Sequence, residues 1–433
     1  MRVGVLGLGK LGKPVALCIA HQGHEVIGYD PVASRMTLRP EDHPEIECGY
    51  GEFGTLQDYI KGADIGITFA PLHKVVETAD ILFVAVQTPH DPLYEGATML
   101  PASRKDFDYR YLKDTLEQIV AVGRTTPFDL CVISTVLPGT YDRELKPILD
   151  KMPNARYFYT PQFIAMGTVM KDFLACPEPW LIGSDSYERG SKPSAGDQRI
   201  SDFFGSLHAK PRMVMSVASA EACKVSYNTY ITSKITIANS IMDMCERVAG
   251  ADCDDVADFL QSCSHRITSS GYMRPGMGDG GACHGRDNIA LSWLARELKL
   301  PYDLYDAMMK MREEQAGLLA AELHRVACET ALPICILGTA FKPNVGIETG
   351  SSALLVADIL KTRHRRDAHL YDPHIDERVW SAFARPHAYL VGCDHAAFDR
   401  LVLPEGSVLI DPFRKNRLAR GSKVKVIAYG RGE

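Results

Sequence analysis

The sequence lacks the features that mark several large classes of protein. Its 12 cysteines stand singly, without a Cys-x-x-Cys pair. This excludes a zinc ribbon and a thioredoxin motif, and it favours reduced thiols in a cytoplasmic protein with no metal site. No apolar run approaches the ~20 residues that a membrane-spanning helix needs.

An excess of positive charge is also missing. The chain has 48 Lys and Arg against 54 Asp and Glu, a formal net charge of −6, which argues against a nucleic-acid partner. The first residues, Met1-Arg-Val-Gly-Val-Leu-Gly, already read as a strand, so we expect no signal peptide. At 433 residues the chain is too long for one core, and about three domains are expected.

The first clear motif is a glycine-rich turn. Residues 2–6 form an apolar strand, Gly7-Leu-Gly9-Lys-Leu-Gly12 follows, and residues 14–21 are helical in pattern. The next predicted strand, 24–30, ends in Asp30. This pattern predicts a dinucleotide site, because a strand leads into G-x-G-x-x-G, a helix follows, and the next strand ends in an acid. Asp30 favours NAD over NADP. The alternative is a Rossmann turn that no longer binds a cofactor.

Strands then alternate with helical patterns, which predicts a parallel, doubly wound sheet. Residues 38–79 show no clear pattern and are interpreted as irregular, and residues 90–107 as a long loop of the kind that often has a function. Ligands bind beyond the strand carboxyl ends in such sheets. The predicted strands in this region are 81–86, 130–135, 157–161 and 180–183. Residues 109–122 are predicted to form a helix.

A helix of some thirty residues is predicted over 219–249, which holds almost no Gly or Pro. A helix of this length often carries an oligomer interface. Lys224 and Asn228 share one face of it, although a solvated face is the alternative for such residues. A short helix follows over 254–261.

A second glycine-rich stretch, Pro275–Asp287, leads into the helical pattern that resumes at Asn288. Cys283 is therefore predicted at or just before a helix N-terminus, where the pKa of a thiol falls. Asp287 lies one turn further on the same face. The alternative is a glycine-rich loop that holds an inert, buried cysteine.

The last part of the chain predicts a helix over 302–328 and a smaller α/β unit. It has no G-x-G-x-x-G, so we expect it to bind something other than a dinucleotide. The predicted fold is α/β, with two Rossmann-like doubly wound parallel-sheet domains joined by a long central helix and helical region. The predicted boundaries are 1–212 for the NAD-binding Rossmann domain, 213–318 for the central helical domain with the oligomer interface and 319–433 for the C-terminal Rossmann-like domain.

These motifs, in this order and spacing, resemble the UDP-glucose/GDP-mannose 6-dehydrogenases along nearly the whole chain. The matching pieces are Gly7-Leu-Gly-Lys-Leu-Gly12, Val86-Gln-Thr88-Pro89, Ser134-Thr135-Val-Leu-Pro-Gly-Thr140, Pro161-Gln-Phe163, Ala220-Glu-Ala-Cys-Lys224-Val-Ser-Tyr-Asn228, Lys234-Ile-Thr-Ile-Ala-Asn239, Gly278-Asp-Gly-Gly-Ala-Cys283-His-Gly-Arg-Asp287 and Ala340-Phe-Lys342-Pro-Asn344.

The resemblance implies an NAD-dependent dehydrogenase that oxidises the C6 alcohol of a nucleotide-activated sugar to the acid. Cys283 would form a thiohemiacetal and then a thioester, Lys224 and Asn228 would stabilise negative charge, and Asp287 and Thr135 would position water. The residues that would bind NAD are Gly7, Gly9, Leu11, Gly12, Asp30, Arg35, Thr88 and Thr135. Those that would bind substrate are Gln162, Phe163, Lys224, Asn228, Tyr272, Arg274, Gly280, Lys342 and, from the other subunit of a homodimer, Arg266. Arg414 matches a further substrate arginine with its register shifted by one.

Several positions depart from the family pattern. Gln162 replaces the glutamate that serves as general base for thioester hydrolysis, and an amide cannot accept that proton. The other departures are Met166 for a second glutamate, Arg286 for a lysine, Asp279 for a phenylalanine, and Gly346, Ile347 and Thr349 for an acidic pair and an NAD-binding arginine.

Three functions follow from this pattern. The first is a dehydrogenase acting on a UDP-glucose-like sugar. The second is a relative that oxidises another primary alcohol, such as a nucleoside or modified sugar, and stops at the aldehyde. The third is an inactive nucleotide sensor. If nothing replaces the missing base, an adduct should accumulate on Cys283; otherwise another group supplies the base, with Asp287 the first suspect.

Overall fold

The computed structural model describes residues 1–38, 66–89, 105–164, 169–175, 178–269, 275–278, 282–376, 381–415, 418 and 423–430. For residues 175, 235, 239, 282–284, 286, 287, 290, 381 and 382 it describes the backbone alone. The chain divides into two compact units, Met1–Ser233 and Lys234–Glu433. The three predicted domain boundaries remain a prediction.

The described strands of the first unit form an eight-stranded sheet in the order β3-β2-β1-β4-β5-β6-β7-β8. Its first six positions follow the doubly wound dinucleotide-binding order. The strands are β1 Arg2–Leu6, β2 Glu25–Tyr29, β3 Ile67–Phe69, β4 Ile81–Val84, β5 Phe128–Val132, β6 Ala155–Tyr159, β7 Trp180–Ser184 and β8 Arg212–Ser216.

Helices cover both faces of this sheet. Val3 and Val5 of β1 pack in one apolar cluster and Leu6 packs in the other, as the two-residue side-chain period of a strand requires. The helices of this unit are α1 Gly12–His21, α2 Leu72–Thr78, α3 Arg110–Val122, α4 Lys146–Leu149, α5 Val169–Ala175 and α6 Ala195–Leu207. Helix α7, Val217–Cys245, begins in the first unit and ends in the second.

The second unit contains a five-stranded parallel sheet in the order β10-β9-β11-β12-β13. This is the flavodoxin-like order, in which the first strand lies between the second and the third. The elements are α8 Cys253–Ser262, α9 Ala282–Glu297, α10 Leu304–Thr330, β9 Ile334–Leu337, α11 Ser352–His364, β10 His369–Tyr371, β11 Ala388–Val391, β12 Val408–Ile410 and β13 Lys425–Ile427.

Local sequence explains several helix starts. The Ser194 hydroxyl accepts the backbone N–H of Asp197, and the Asp197 carboxylate accepts that of Ser194, which forms a capping box at α6. Asp303 caps α10 and Ser351 caps α11 in a similar way. Such side chains supply acceptors that the first turn of a helix otherwise lacks.

The predicted α/β fold with two doubly wound sheets is confirmed, with three corrections. First, β7 runs antiparallel to β6, although a parallel strand was predicted. Second, the described part of 38–79 is not irregular, because it contains β3 and α2. Third, β8, β11, α4, α5 and α6 were not predicted. Many of these elements are too short to show a period and depend on packing against the rest of the sheet.

The glycine-rich turn after β1 yields a matched pair of predictions. A Cβ at Gly12 would lie 1.8 Å from the Gly7 carbonyl oxygen, whereas at Gly9 the nearest atom would be 4.0 Å away. Gly12→Ala should therefore lower the free energy of unfolding by about 1–3 kcal/mol or more. Gly9→Ala should fold normally but bind NAD weakly, since its methyl group occupies the approach to the turn. Urea denaturation and calorimetric NAD titration measure the two effects; equal stability of the two variants would contradict the prediction.

Candidate active site

The turn between β1 and α1 has the geometry of a dinucleotide site. Gly7 has φ +93°, and its backbone N–H donates to the Tyr29 carbonyl oxygen at 2.9 Å. Gly12 lies against Gly7, while the space beside Gly9 is open. Backbone N–H groups at the N-terminus of α1 therefore border open space, the arrangement that binds a pyrophosphate.

Asp30 occupies the end of β2 and is 3% exposed. Its Oδ2 accepts the Leu8 N–H and its Oδ1 accepts the Val32 N–H, both at 2.8 Å. Arg35 Nη1 lies 3.6 Å from Asp30 Oδ2. The fully buried Lys13, which the sequence did not single out, donates to the carbonyl oxygens of Arg35 and Thr37. Leu11 immediately precedes α1. The open turn and the acid at the end of β2 are the features that a bound dinucleotide requires.

Two predicted threonines meet at the carboxyl ends of neighbouring strands. Thr88 follows β4 and Thr135 follows β5, and the Thr88 hydroxyl donates to the Thr135 carbonyl oxygen at 2.7 Å. The Ser134 hydroxyl donates to the Val86 carbonyl oxygen at 2.5 Å. These bonds join the two strand ends where ligands bind in a doubly wound sheet.

Lys224 is 9% exposed and is held at the same edge of the sheet. Its Nζ donates to the Gln162 carbonyl oxygen at 2.7 Å and lies 5.1 Å from the centre of the Phe163 ring. Burial lowers the pKa of Lys224, because a low-polarity environment disfavours the charged amine. Asn228, one helical turn further on, is exposed.

Gln162 is 6% exposed, and its side-chain amide has a definite partner. Nε2 donates to the Thr160 carbonyl oxygen at 2.7 Å. A glutamate in this position would direct a carboxylate at a carbonyl oxygen, an arrangement that favours the protonated acid. Gln162 therefore satisfies a backbone acceptor in the way that a neutral acid would.

The sequence reasoning missed Glu221 as a supporting residue. Its two carboxylate oxygens accept the Gly139 and Tyr141 N–H groups at 2.7 and 2.8 Å. Burial raises the pKa of Glu221. The sequence contained one signal for this role, because Glu221 lies on α7 three residues before Lys224. Glu221 anchors the segment after β5 to the helix that carries Lys224.

In the second unit, α9 begins at Ala282, so Cys283 is its second residue. The predicted position of Cys283 at a helix N-terminus is thereby confirmed, and Asp287 follows one turn later. In the glycine-rich stretch before it, a Cβ at Gly276 would lie 2.9 Å from the Phe413 ring, and a Cβ at Gly278 would lie 2.7 Å from the Ser352 hydroxyl. These two glycines therefore permit close packing within the protein.

Two basic residues of the second unit differ in their surroundings. Arg414 Nη2 donates to the Pro275 carbonyl oxygen at 2.6 Å and Nη1 to that of Tyr429 at 3.0 Å, so it anchors the start of the glycine-rich stretch. Lys342 is exposed, with its Nζ 5.4 Å from the Phe341 ring centre. Arg266 is also exposed.

The turn after β9 repeats the hydrogen bonding of the turn after β1. Asp372 Oδ2 accepts the Thr339 and Ala340 N–H groups at 2.8 Å, and His395 Nε2 donates to the same oxygen at 2.9 Å. Burial favours a higher pKa for Asp372, but these hydrogen bonds outweigh it and hold the pKa below the usual value. His395 Nδ1 accepts the Asn344 N–H, so this network supports the loop that carries Lys342.

Some predicted site residues lie outside the described part of the chain: Tyr272, Arg274, Gly280, and the side chains of Cys283 and Asp287. None of the helices traced here is both long and apolar enough to cross a membrane. Within the same residues, no group of three His, Cys, Asp or Glu side chains is arranged to hold a metal ion.

Comparison with known families matches most of the chain. Residues 1–195 match the NAD binding domain of the UDP-glucose/GDP-mannose dehydrogenase family, and residues 218–314 match the central domain of the same family.

Individual relatives agree with these matches. The GDP-mannose 6-dehydrogenase of Azotobacter vinelandii is 26% identical over 83% of this chain and 78% of its own length. The UDP-glucose 6-dehydrogenase TuaD of Bacillus subtilis is 27% identical over 86% and 76%. A ternary complex of GDP-mannose dehydrogenase from Pseudomonas aeruginosa shares the fold, with a TM-score of 0.80 at 22% identity over 98% of this chain and 99% of that one. The chain belongs to the UDP-glucose/GDP-mannose dehydrogenase family, and its activity is that of an NAD-dependent nucleotide-sugar dehydrogenase.

Proposed function

We propose that this protein oxidises the C6 primary alcohol of a UDP-glucose-like nucleotide sugar to the uronic acid through a covalent intermediate on Cys283. The observation that carries the proposal is the buried Lys224, held at the carboxyl edge of the NAD-binding sheet by the Gln162 carbonyl oxygen. A fixed positive charge at that edge suits a substrate oxygen that becomes negative.

The proposed chemistry has two oxidations and one hydrolysis. NAD, when bound at the turn after β1, would supply the hydride acceptor for both oxidations. Lys224 and Asn228 stabilise the alkoxide that forms when the alcohol loses its proton. The Cys283 thiolate adds to the aldehyde, and loss of the second hydride leaves a thioester. Water then releases the acid, with Thr135 and Asp287 positioning it.

The position of Cys283 supports its role as nucleophile. The second residue of a helix lies close to the unsatisfied N–H groups of the first turn, and these lower the pKa of a thiol. Asp30, Arg35 and Thr88 bind NAD in this proposal. The nucleotide is bound by Tyr272, Arg274, Lys342 and, across a dimer, Arg266.

A panel of nucleotide sugars tests the proposal. With the true substrate the protein should form two NADH and one uronic acid per sugar. Cys283→Ser should abolish acid formation while NAD affinity is unchanged, because a serine hydroxyl is a far poorer nucleophile near neutral pH. Absorbance of NADH and mass analysis of the product measure both. Equal acid formation by the Ser variant would refute the covalent route, and an aldehyde as the wild-type end product would favour a two-electron dehydrogenase.

The lowered pKa of Lys224 predicts an alkaline limit to turnover. Only the protonated amine stabilises an alkoxide, so kcat should fall as the pH rises through this pKa. Lys224→Arg should shift the limit upward, since a guanidinium keeps its charge above pH ~12. Lys224→Met should lower kcat about 10²–10³-fold at pH values below this pKa and should lose the alkaline limit. If the alkaline limit is unchanged in the Arg variant, the limit arises from the titration of another group.

The homodimer is tested by light scattering and by complementation. Arg266→Ala and Cys283→Ser should each be inactive as pure proteins. Mixed in equal amounts and allowed to exchange subunits, they should regain roughly a quarter of wild-type activity, because the mixed dimer has one site with both residues intact. An active monomer, or no recovery despite exchange, would show that Arg266 does not serve the other subunit.

A further inference from the structure

A fully buried lysine stands at the start of α1, next to the glycine-rich turn. Lys13 is the second residue of α1 and is 0% exposed. A buried ammonium group costs free energy unless hydrogen bonds replace the water that it loses. The Lys13 amine donates to the backbone carbonyl oxygens of Arg35 and Thr37. The lysine therefore joins the start of α1 to a segment 22 to 24 residues further along the chain.

The segment that follows β2 is held at both of its ends. At its start, Asp30 Oδ1 accepts the Val32 N–H at 2.8 Å. Residues Ala33–Arg35 then form one 3-10 turn, and carbonyl oxygens at the end of a helical turn lack partners within it and attract a cation. The Lys13 ammonium is that cation. Its Nζ also lies 5.5 Å from the centre of the Phe69 ring at the end of β3.

The side chain of Arg35 extends from this held segment to the open side of the turn. Its Nη1 lies 3.6 Å from Asp30 Oδ2, and a Cβ at Gly9 would lie 4.0 Å from the same Nη1. The guanidinium group is thus placed between the acid at the end of β2 and the turn that suits a pyrophosphate. The Arg35 side chain is 46% exposed, so its remaining N–H donors are open to a ligand, and a guanidinium suits phosphate oxygens.

The ammonium group is not needed to fill space in α1. Val15 and Ala16 of the same helix pack in an apolar cluster, and a methionine has a similar length and flexibility to the lysine stem. A methionine could not donate to two carbonyl oxygens. The specific contribution of the Lys13 amine is therefore the fixed backbone of residues 35–37.

A second buried lysine of the first unit provides a matched comparison. Lys210 is 7% exposed, and its Nζ donates to the carbonyl oxygens of Asp172 and Phe173 at 2.7 and 2.8 Å. It also lies 4.5 Å from the centre of the Trp180 ring. Lys210 thus has the same kinds of partner as Lys13, but these partners belong to α5 and β7.

We propose that Lys13 is a positioning residue for the adenosine and pyrophosphate part of the cofactor. Its ammonium group fixes the backbone of residues 35–37 and thereby holds the Arg35 guanidinium beside the turn before a dinucleotide binds. Because Lys13 is fully buried, it acts through this segment and not by contact with the ligand. Such preorganisation raises affinity, since binding then has fewer groups to order.

The test compares Lys13→Met with Lys210→Met by calorimetric titration of the full-length protein with ADP-ribose and with NAD. Lys13→Met should weaken the binding of both ligands by the same factor, about 5- to 30-fold, which is the equilibrium factor for ordering one backbone residue. Lys210→Met removes an ammonium group from two other carbonyl oxygens and should bind both ligands as wild type does. Without a ligand, amide hydrogen exchange of residues 33–37 should be faster in Lys13→Met alone.

A double-mutant cycle separates positioning from a general loss of stability. Once Arg35 is replaced in Arg35→Ala, Lys13→Met should have little further effect on the affinity for ADP-ribose. If Lys13→Met does not fold, Lys13→Gln takes its place, because its amide can still donate to one carbonyl oxygen without a charge. Lys13→Gln should then show a smaller loss of affinity in the same direction.

Three results would overturn the proposal. The first is wild-type affinity for ADP-ribose in the Lys13 variants. The second is an equal loss of affinity in Lys210→Met, and the third is a Lys13→Met effect that stays at full size in the Arg35→Ala background. None of these titrations needs a sugar substrate. A protein that forms no NADH with any nucleotide sugar would therefore refute the proposed function and leave this test intact.

Discussion

A buried aspartate at the carboxyl end of the second strand fixes the turn after the first strand in both units. Asp30 accepts the Leu8 N–H, and Asp372 accepts the Thr339 N–H. Each carboxylate holds donors that would otherwise be unsatisfied where a strand ends. The position of each turn, and of the helix or loop that follows, depends on this contact.

The carboxyl edge of the first sheet gathers the polar groups that the proposed chemistry needs. Parallel strands end at the same edge, so residues far apart in sequence become neighbours there. Thr88 bonds Thr135, and Lys224 bonds Gln162. Glu221 binds the segment after β5 to α7 and thereby supports the position of Lys224. An anchored amine loses little entropy when it meets a substrate, which favours preorganised electrostatic stabilisation.

Gln162 stands where the family pattern has a glutamate, and its side chain also has a structural role. Its amide donates to the Thr160 carbonyl oxygen, so the local structure is kept while the proton acceptor is lost. The reversal of β7 also places Glu178, which accepts a hydrogen bond from the Tyr227 hydroxyl, near the segment after β6 that carries Gln162.

The sequence by itself determined the elements whose pattern is local. The glycine spacing from Gly7 to Gly12 and the acid Asp30 predicted the dinucleotide-binding turn. Helical periodicity predicted the long helix around Lys224. Both signals are local, because turn geometry and helical periodicity need no distant partner. The position of Cys283 at a helix start followed from the end of the glycines and the return of periodicity.

Tertiary structure alone decided which distant residues meet. The direction of β7 and the contact of Arg414 with the Pro275 carbonyl oxygen depend on pairing and packing between segments far apart in the chain. The short strands and helices missed from the sequence have the same origin, since a few residues carry too little pattern and gain their stability from the sheet. The sequence therefore specified the chemical groups, and long-range packing decided that Glu178 lies beside Gln162.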